Sequence, residues 1–106
     1  MVNQVSSADD FKARIKTPGK VVFVDIFATW CGPCKVIAPV FEKLSSEFPD
    51  CVFIKVNADE VEAVTEEYDV QALPTFLVFK EGALLDRMTG SNSEKLKQLI
   101  KTHAEA

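Results

Sequence analysis

Cys31 and Cys34 are separated by Gly32 and Pro33 and preceded by Trp30, in the run WCGPCK. A Cys-x-x-Cys pair has three uses: it supplies half of a zinc site, closes a small structural disulfide, or cycles between dithiol and disulfide. A structural zinc site takes four ligands. The other soft donors are Cys51, which stands apart, and His103, the single histidine, near the chain end. His103 reads as a surface residue at a helix end. A structural disulfide over so short a loop stabilises little, so the cycling reading is favoured.

The local setting points the same way. The pair follows the apolar run VVFVDIFA (21–28) and opens a stretch of helical periodicity. A helix N-terminus carries about +0.5 of a charge and N–H groups without partners. It favours a thiolate at Cys31 and lowers its pKa below the free value of about 8.5. The thiolate is the nucleophile of disulfide exchange. Cys34 lies one turn on, within disulfide reach. Cys31 is therefore expected to be the outer, attacking sulfur and Cys34 the buried, resolving one. Pro33 fits a first helical turn, and Gly32 is expected to let the backbone turn tightly. Trp30 and Pro33 should leave a flat apolar surface for an extended peptide.

Asp25 is a lone carboxylate in an otherwise apolar strand. Desolvation should raise its pKa. It precedes the pair closely enough to sit beneath it, either as a general base for Cys34, directly or through water, or as a strand-end carboxylate with a satisfied hydrogen bond. Position alone leaves both open. Lys55, in the next interior strand, is a candidate charge partner. Pro74, in ALPTF, precedes another apolar strand, and base frequency favours a trans bond before it.

The elements that must hold these residues are legible from periodicity. VNQV suggests a short strand. SSADDFKARIK reads as a helix capped by Ser7, with Phe11 and Ile15 on one face. VVFVDIFA reads as a central strand covered on both sides. Ile37, Val40, Phe41, Leu44 and Phe48 give a helix from Pro33 to Phe48, kinked at Pro39. CVFIKVNAD reads as a second interior strand that buries Cys51, with an oxidised dimer through that thiol as the alternative. DEVEAVTEEYDV reads as a helix capped by Asp59 with Val61, Val64 and Tyr68 inward. FLVFK and LLDRMTG form a hairpin. Ser91 and Glu94 suggest a capping box for a last helix facing Leu96, Leu99 and Ile100 inward. The order β-α-β-α-β-α-β-β-α predicts an α/β fold: a central mixed sheet flanked by helices on both faces.

The chain has 106 residues, 47% of them hydrophobic and 26% charged, and is expected to form one domain, residues 1–106. Its net charge of −4 argues against a general nucleic-acid binder. The N-terminus lacks the basic and apolar regions of a secretory leader, and the longest apolar run is too short to span a bilayer. A cytoplasmic, mainly monomeric protein with no membrane partner is expected.

Together these residues resemble the thioredoxin family over essentially the whole chain. VDIFATWCGPCK carries most of the resemblance, supported by LPTF, FKEG and TG. The resemblance implies the thioredoxin fold and reduction of protein disulfides, with Cys31 as nucleophile, Cys34 as resolving cysteine, Asp25 as the carboxylate assisting it and Lys55 as its neighbour. It implies a cis bond before Pro74, so that Leu73 offers its backbone to the substrate. It also implies a docking groove lined by Trp30, Gly32, Pro33, Leu73, Pro74, Thr75 and Gly90. No bound cofactor is implied; electrons come from NADPH through a flavoprotein thioredoxin reductase. Peroxiredoxins, methionine sulfoxide reductases and ribonucleotide reductase are the implied targets. Phe27 stands where many bacterial members carry tryptophan. The competing readings are a thiol oxidase or disulfide isomerase on the same fold, and a binding subunit that uses only the groove.

Overall fold

Val21–Phe27, designated β2, is apolar on both faces because both are covered. The computed structural model describes residues 1–106. Around β2 the chain forms β1 (Val2–Val5), α1 (Ala8–Arg14), α2 (Gly32–Glu47), β3 (Val52–Asn57), α3 (Glu62–Glu67), β4 (Thr75–Lys80), β5 (Ala83–Thr89) and α4 (Ser93–Ala104). The five strands lie in the order β1-β3-β2-β4-β5. β1, β3 and β2 run parallel; β4 is antiparallel to β2, and β5 to β4. The β4–β5 hairpin turns through Glu81 and Gly82 at φ of 52° and 82°, the paired left-handed residues that match the strand twist.

Alternation along the strands divides the core in two. Val22, Val24 and Ile26 of β2 join Ile54, Val56, Leu77 and Phe79 against Phe11 and Ile15 of the α1 segment and Val61 and Val64 of the α3 segment. On the other face Phe23, Phe53, Phe76 and Val78 meet Ile37, Phe41 and Leu44 of α2 and Leu96 and Ile100 of α4. The Phe41 ring packs 5.3 Å from Phe53 and 5.5 Å from Phe76. This anchors α2 across the strand that carries Asp25. No helix is long and apolar enough to cross a membrane.

Several local expectations need correction. Asp59 does not cap α3: the N-cap position is Val61, with no side-chain bond. Asp59 instead accepts a hydrogen bond from Trp30 Nε1 at 2.9 Å. The cap of α4 is Asn92, whose side chain accepts from Lys95 N–H, not Ser91; adjacent Ser and Asn are comparable caps, so sequence cannot choose between them. Cys51 is half-buried, not core: it lies in the turn before β3, its N–H bonded to Phe48 O. Its thiol is free, and burial together with Asp50 raises its pKa. His103 is not a bare surface residue, since Nε2 lies 2.9 Å from Asp86 Oδ2. Ser7 caps α1 as expected, and Pro39 lies inside α2.

Candidate active site

Strand β2 ends at Phe27 and α2 begins at Gly32, so the cysteines lie where the central strand hands over to a helix. Cys31 is the N-cap of α2, and its sulfur accepts a hydrogen bond from Cys34 N–H at 3.2 Å. A cap acceptor that can ionise is stabilised as an anion by that N–H and by the helix dipole. The two cysteines are joined in a disulfide, with their Cα atoms 5.3 Å apart. The expected contrast between an outer and a buried sulfur is not seen in exposure: Cys31 is 4% and Cys34 3% exposed. Ala28 packs with both, and Phe27 and Leu73 lie against them. The two differ in what lies beside them. Cys34 lines a half-open cavity; Cys31 does not.

That cavity, of about 350 Å³, is bounded by Asp25, Phe27, Cys34, Lys35, Ala38 and Lys55, among others. Asp25 belongs to the same alternating set as Phe23, so it points to the α2 side of the sheet. It is 3% exposed, and its Oδ1 has no hydrogen-bond partner in the protein. The alternative of a satisfied carboxylate finds no protein partner at this oxygen. Burial pushes the Asp25 pKa up to about 7, and the charge of Lys55 opposes that rise. Lys55 is Asp25's register neighbour on β3. It forms no ion pair with Asp25; its Nζ lies 5.7 Å from the Phe27 ring centroid. Lys35 and Ala38 escaped the sequence reading, and Phe27 entered it only by comparison with the family, because cavity walls have no periodic signature.

Of the remaining candidates, Leu73 lies against the cysteines, while Pro74 and Thr75 are buried and line no open groove. The Leu73–Pro74 bond is cis, as the family resemblance implies and against base frequency. Pro74 O accepts from Gly90 N–H at 2.9 Å, and Thr75 Oγ1 lies 3.3 Å from Thr89 Oγ1. Gly90 has a φ of +106°, a region where a side chain is strained. Gly32 is different. Its φ is not positive, and a Cβ there would meet nothing within 4 Å. A tight turn is therefore not what glycine supplies; it leaves the surface beside Cys31 without a side chain. Trp30 is 70% exposed, and with Leu73, Asp59 and Glu62 it lines an open groove of about 400 Å³. Pro33, exposed in the first turn of α2, completes the surface. No group of three or more His, Cys, Asp or Glu side chains is placed to hold a metal.

Comparison with known proteins gives the same answer. Thioredoxin-1 of Schizosaccharomyces pombe is 45% identical over 103 residues, covering 97% of this chain and 99% of that one. Thioredoxin-2 of Pyricularia oryzae is 48% identical over 99 residues; they make up 93% of this chain and 57% of that protein. The solved Plasmodium falciparum thioredoxin superposes with a TM-score of 0.92 at 44% identity, covering 95% of this chain and 98% of that one. The thioredoxin family model matches residues 2–102, and the chain belongs to the thioredoxin family.

Proposed function

We propose that this chain reduces protein disulfides through Cys31 and Cys34, with Asp25 handling the proton of Cys34. The Cys31 thiolate attacks one sulfur of a target disulfide; that S–S bond breaks, and the second target sulfur leaves as a thiolate. The chain and target are now joined by a mixed disulfide. Cys34 gives its proton to Asp25, directly or through water, for which the cavity has room. The Cys34 thiolate attacks Cys31 Sγ and releases the first target sulfur as a thiolate. Two electrons have moved to the target, and the chain holds the Cys31–Cys34 disulfide. The observation that carries this reading is the shared cavity. It joins Cys34, and not Cys31, to a buried carboxyl whose pKa of about 7 suits proton exchange near neutral pH.

The rim supplies the docking surface. Trp30, Gly32 and Pro33 offer a low, apolar approach to Cys31, while Leu73 forms the opposite bank for an extended segment, backed from below by the buried Pro74 and Thr75 and held in place by the Gly90–Pro74 hydrogen bond. Lys55 moderates the charge of Asp25. Recharging requires two electrons from NADPH through thioredoxin reductase, acting in a reducing compartment such as the cytoplasm. Peroxiredoxins, methionine sulfoxide reductases and ribonucleotide reductase are proposed targets. A solved yeast structure, 34% identical, concerns thiol resolution in a mitochondrial 1-Cys peroxiredoxin via glutathione/thioredoxin systems, which supports the first of these.

The test is the reduction potential of the pair, read from Trp30 fluorescence across a dithiothreitol series. A value near about −270 mV is expected of a reductant. A value near about −180 mV or above would mark an oxidase or isomerase. A Cys31→Ser/Cys34→Ser double variant that keeps its biological activity would instead favour a binding subunit.

A further inference from the structure

The far half of α2 carries a second concave surface. Val40, Leu44 and Phe48 follow one another at intervals of four and floor a groove of about 480 Å³ between α2 and α4. Leu44 is buried; Val40 and Phe48 are half-buried. The rim is Lys43 on α2 and Lys97 and Lys101 on α4, with Glu47 as its one acid. On a chain of net charge −4 this is a local reversal of sign. The ion pairs of the chain are Arg14–Asp10, Lys97–Glu94 and His103–Asp86. They leave Lys43 and Lys101 unpaired. Lys97 meets Glu94 at 3.6 Å with both side chains exposed, a contact of little strength in solvent. The groove shares no residue with the Asp25 cavity or the Trp30 groove.

We propose that this groove docks an acidic amphipathic helix of a partner protein. Its apolar side chains would rest on Val40, Leu44 and Phe48, and its carboxylates would meet Lys43, Lys97 and Lys101. Charge complementarity selects an acidic occupant and disfavours a basic one. Length selects a helix. The floor residues span about 12 Å of α2, matching the i, i+3/i+4, i+7 anchors of a docked helix. Lys97 and Lys101 lie one turn apart, a spacing that acids one turn apart on the partner can answer. Contact over so short a floor is weak and transient. It leaves the cysteines at the other end of α2 free, so it is a second attachment point independent of the disulfide chemistry.

The test uses the full oxidised chain, labelled with 15N. It is titrated with a synthetic peptide of about 18 residues, long enough to form a helix, carrying a leucine stripe flanked by glutamates. Shifts are expected at the amides of Lys43, Phe48, Lys97 and Lys101 and not at Trp30 or Cys31. Affinity should fall by about tenfold or more in Lys97→Glu/Lys101→Glu, while that variant reduces a small disulfide at the unaltered rate. Lys43→Glu, on the other rim, should weaken binding in the same direction. The same peptide with lysine for glutamate should bind more weakly. Equal affinity for the charge-reversed chain would overturn the proposal, as would shifts confined to the cysteine face. So would a response only to phosphatidylglycerol vesicles, which would make the lysines a lipid contact.

Discussion

Under α1 and α3, the β2 side chains Val24 and Ile26 are sealed among aliphatic and aromatic neighbours, each 0% exposed. Under α2 and α4 the same strand presents Phe23, packed 5.1 Å from Phe53, and then Asp25, bordering a cavity of about 350 Å³. Successive residues of one strand thus enter two different environments. One is continuous apolar packing. The other is equally apolar except where Asp25, Lys55 and Cys34 meet. A buried carboxyl without a partner for Oδ1 opposes folding, so this face carries a cost that the α1 face does not. The difference separates a face that only stabilises from one that, in the proposed mechanism, also takes up the proton that Cys34 loses.

The comparison breaks most visibly if the carboxyl is moved one residue back. Val24→Asp would place the charge in the sealed core with no cavity beside it. The expected loss is about 5 kcal/mol or more, comparable with the whole stability of a domain this size. Circular dichroism at neutral pH should find the chain largely unfolded. A Val24→Asp variant with a urea midpoint near that of the parent would show that the cavity is not what makes Asp25 tolerable.

Asp25→Asn sharpens the comparison through pH. The folded-state pKa is raised from 3.8 to about 7, so folding favours the protonated carboxyl. The associated stability is complete below the unfolded value and is lost as pH rises through about 7. The full change amounts to about 4 kcal/mol at most. Asparagine does not titrate, so urea melts should show the variant gaining on the parent between pH 4 and pH 8. Resolution of the mixed disulfide should move the other way. In the parent it accelerates as Asp25 ionises near pH 7; in Asp25→Asn it is slower and lacks that inflection. An unchanged rate with the stability gain intact would make Asp25 a cost without a catalytic return.

These properties differ in how well the sequence announces them. The cysteine pair and Asp25 are legible because each violates a local pattern: thiols at a strand-to-helix junction, and a charge in an apolar strand. The two faces are legible because side chains alternate along β2. The strand order is another matter: nothing within β1 says that it pairs with β3. The caps of α3 and α4 lie in polar runs where neighbouring residues compete, and a tertiary contact draws off one of the candidates. Asp59 is drawn to Trp30, and Asn92 displaces Ser91. The cis bond at Pro74 was available only through family resemblance, because base frequency favours trans. Cys51 ends a turn whose boundary with β3 cannot be placed to within one position by periodicity alone.

The smallest effect is expected where a carboxylate stays in solvent. Asp86 of β5 meets His103 of α4, and the side chains are 46% and 18% exposed. The hydrogen bond from His103 is the main influence on Asp86 and lowers its pKa, the opposite direction to Asp25. A depressed carboxyl pKa adds stability that is present above the unfolded value and lost as pH falls through the folded one. Solvent screening limits an exposed pair to about 1 kcal/mol or less. Asp86→Asn should therefore lower the urea midpoint slightly at pH 6, and the difference from the parent should vanish toward pH 3. The two aspartates then act in separate windows. Stability should fall below the ordinary carboxylate range through Asp86, and fall again toward neutrality through Asp25. A double variant, Asp25→Asn with Asp86→Asn, should flatten both slopes additively, because the two groups share no partner. Non-additive slopes would mean that the carboxyl under α2 senses the far edge of the sheet, and the two regions could no longer be treated as separate.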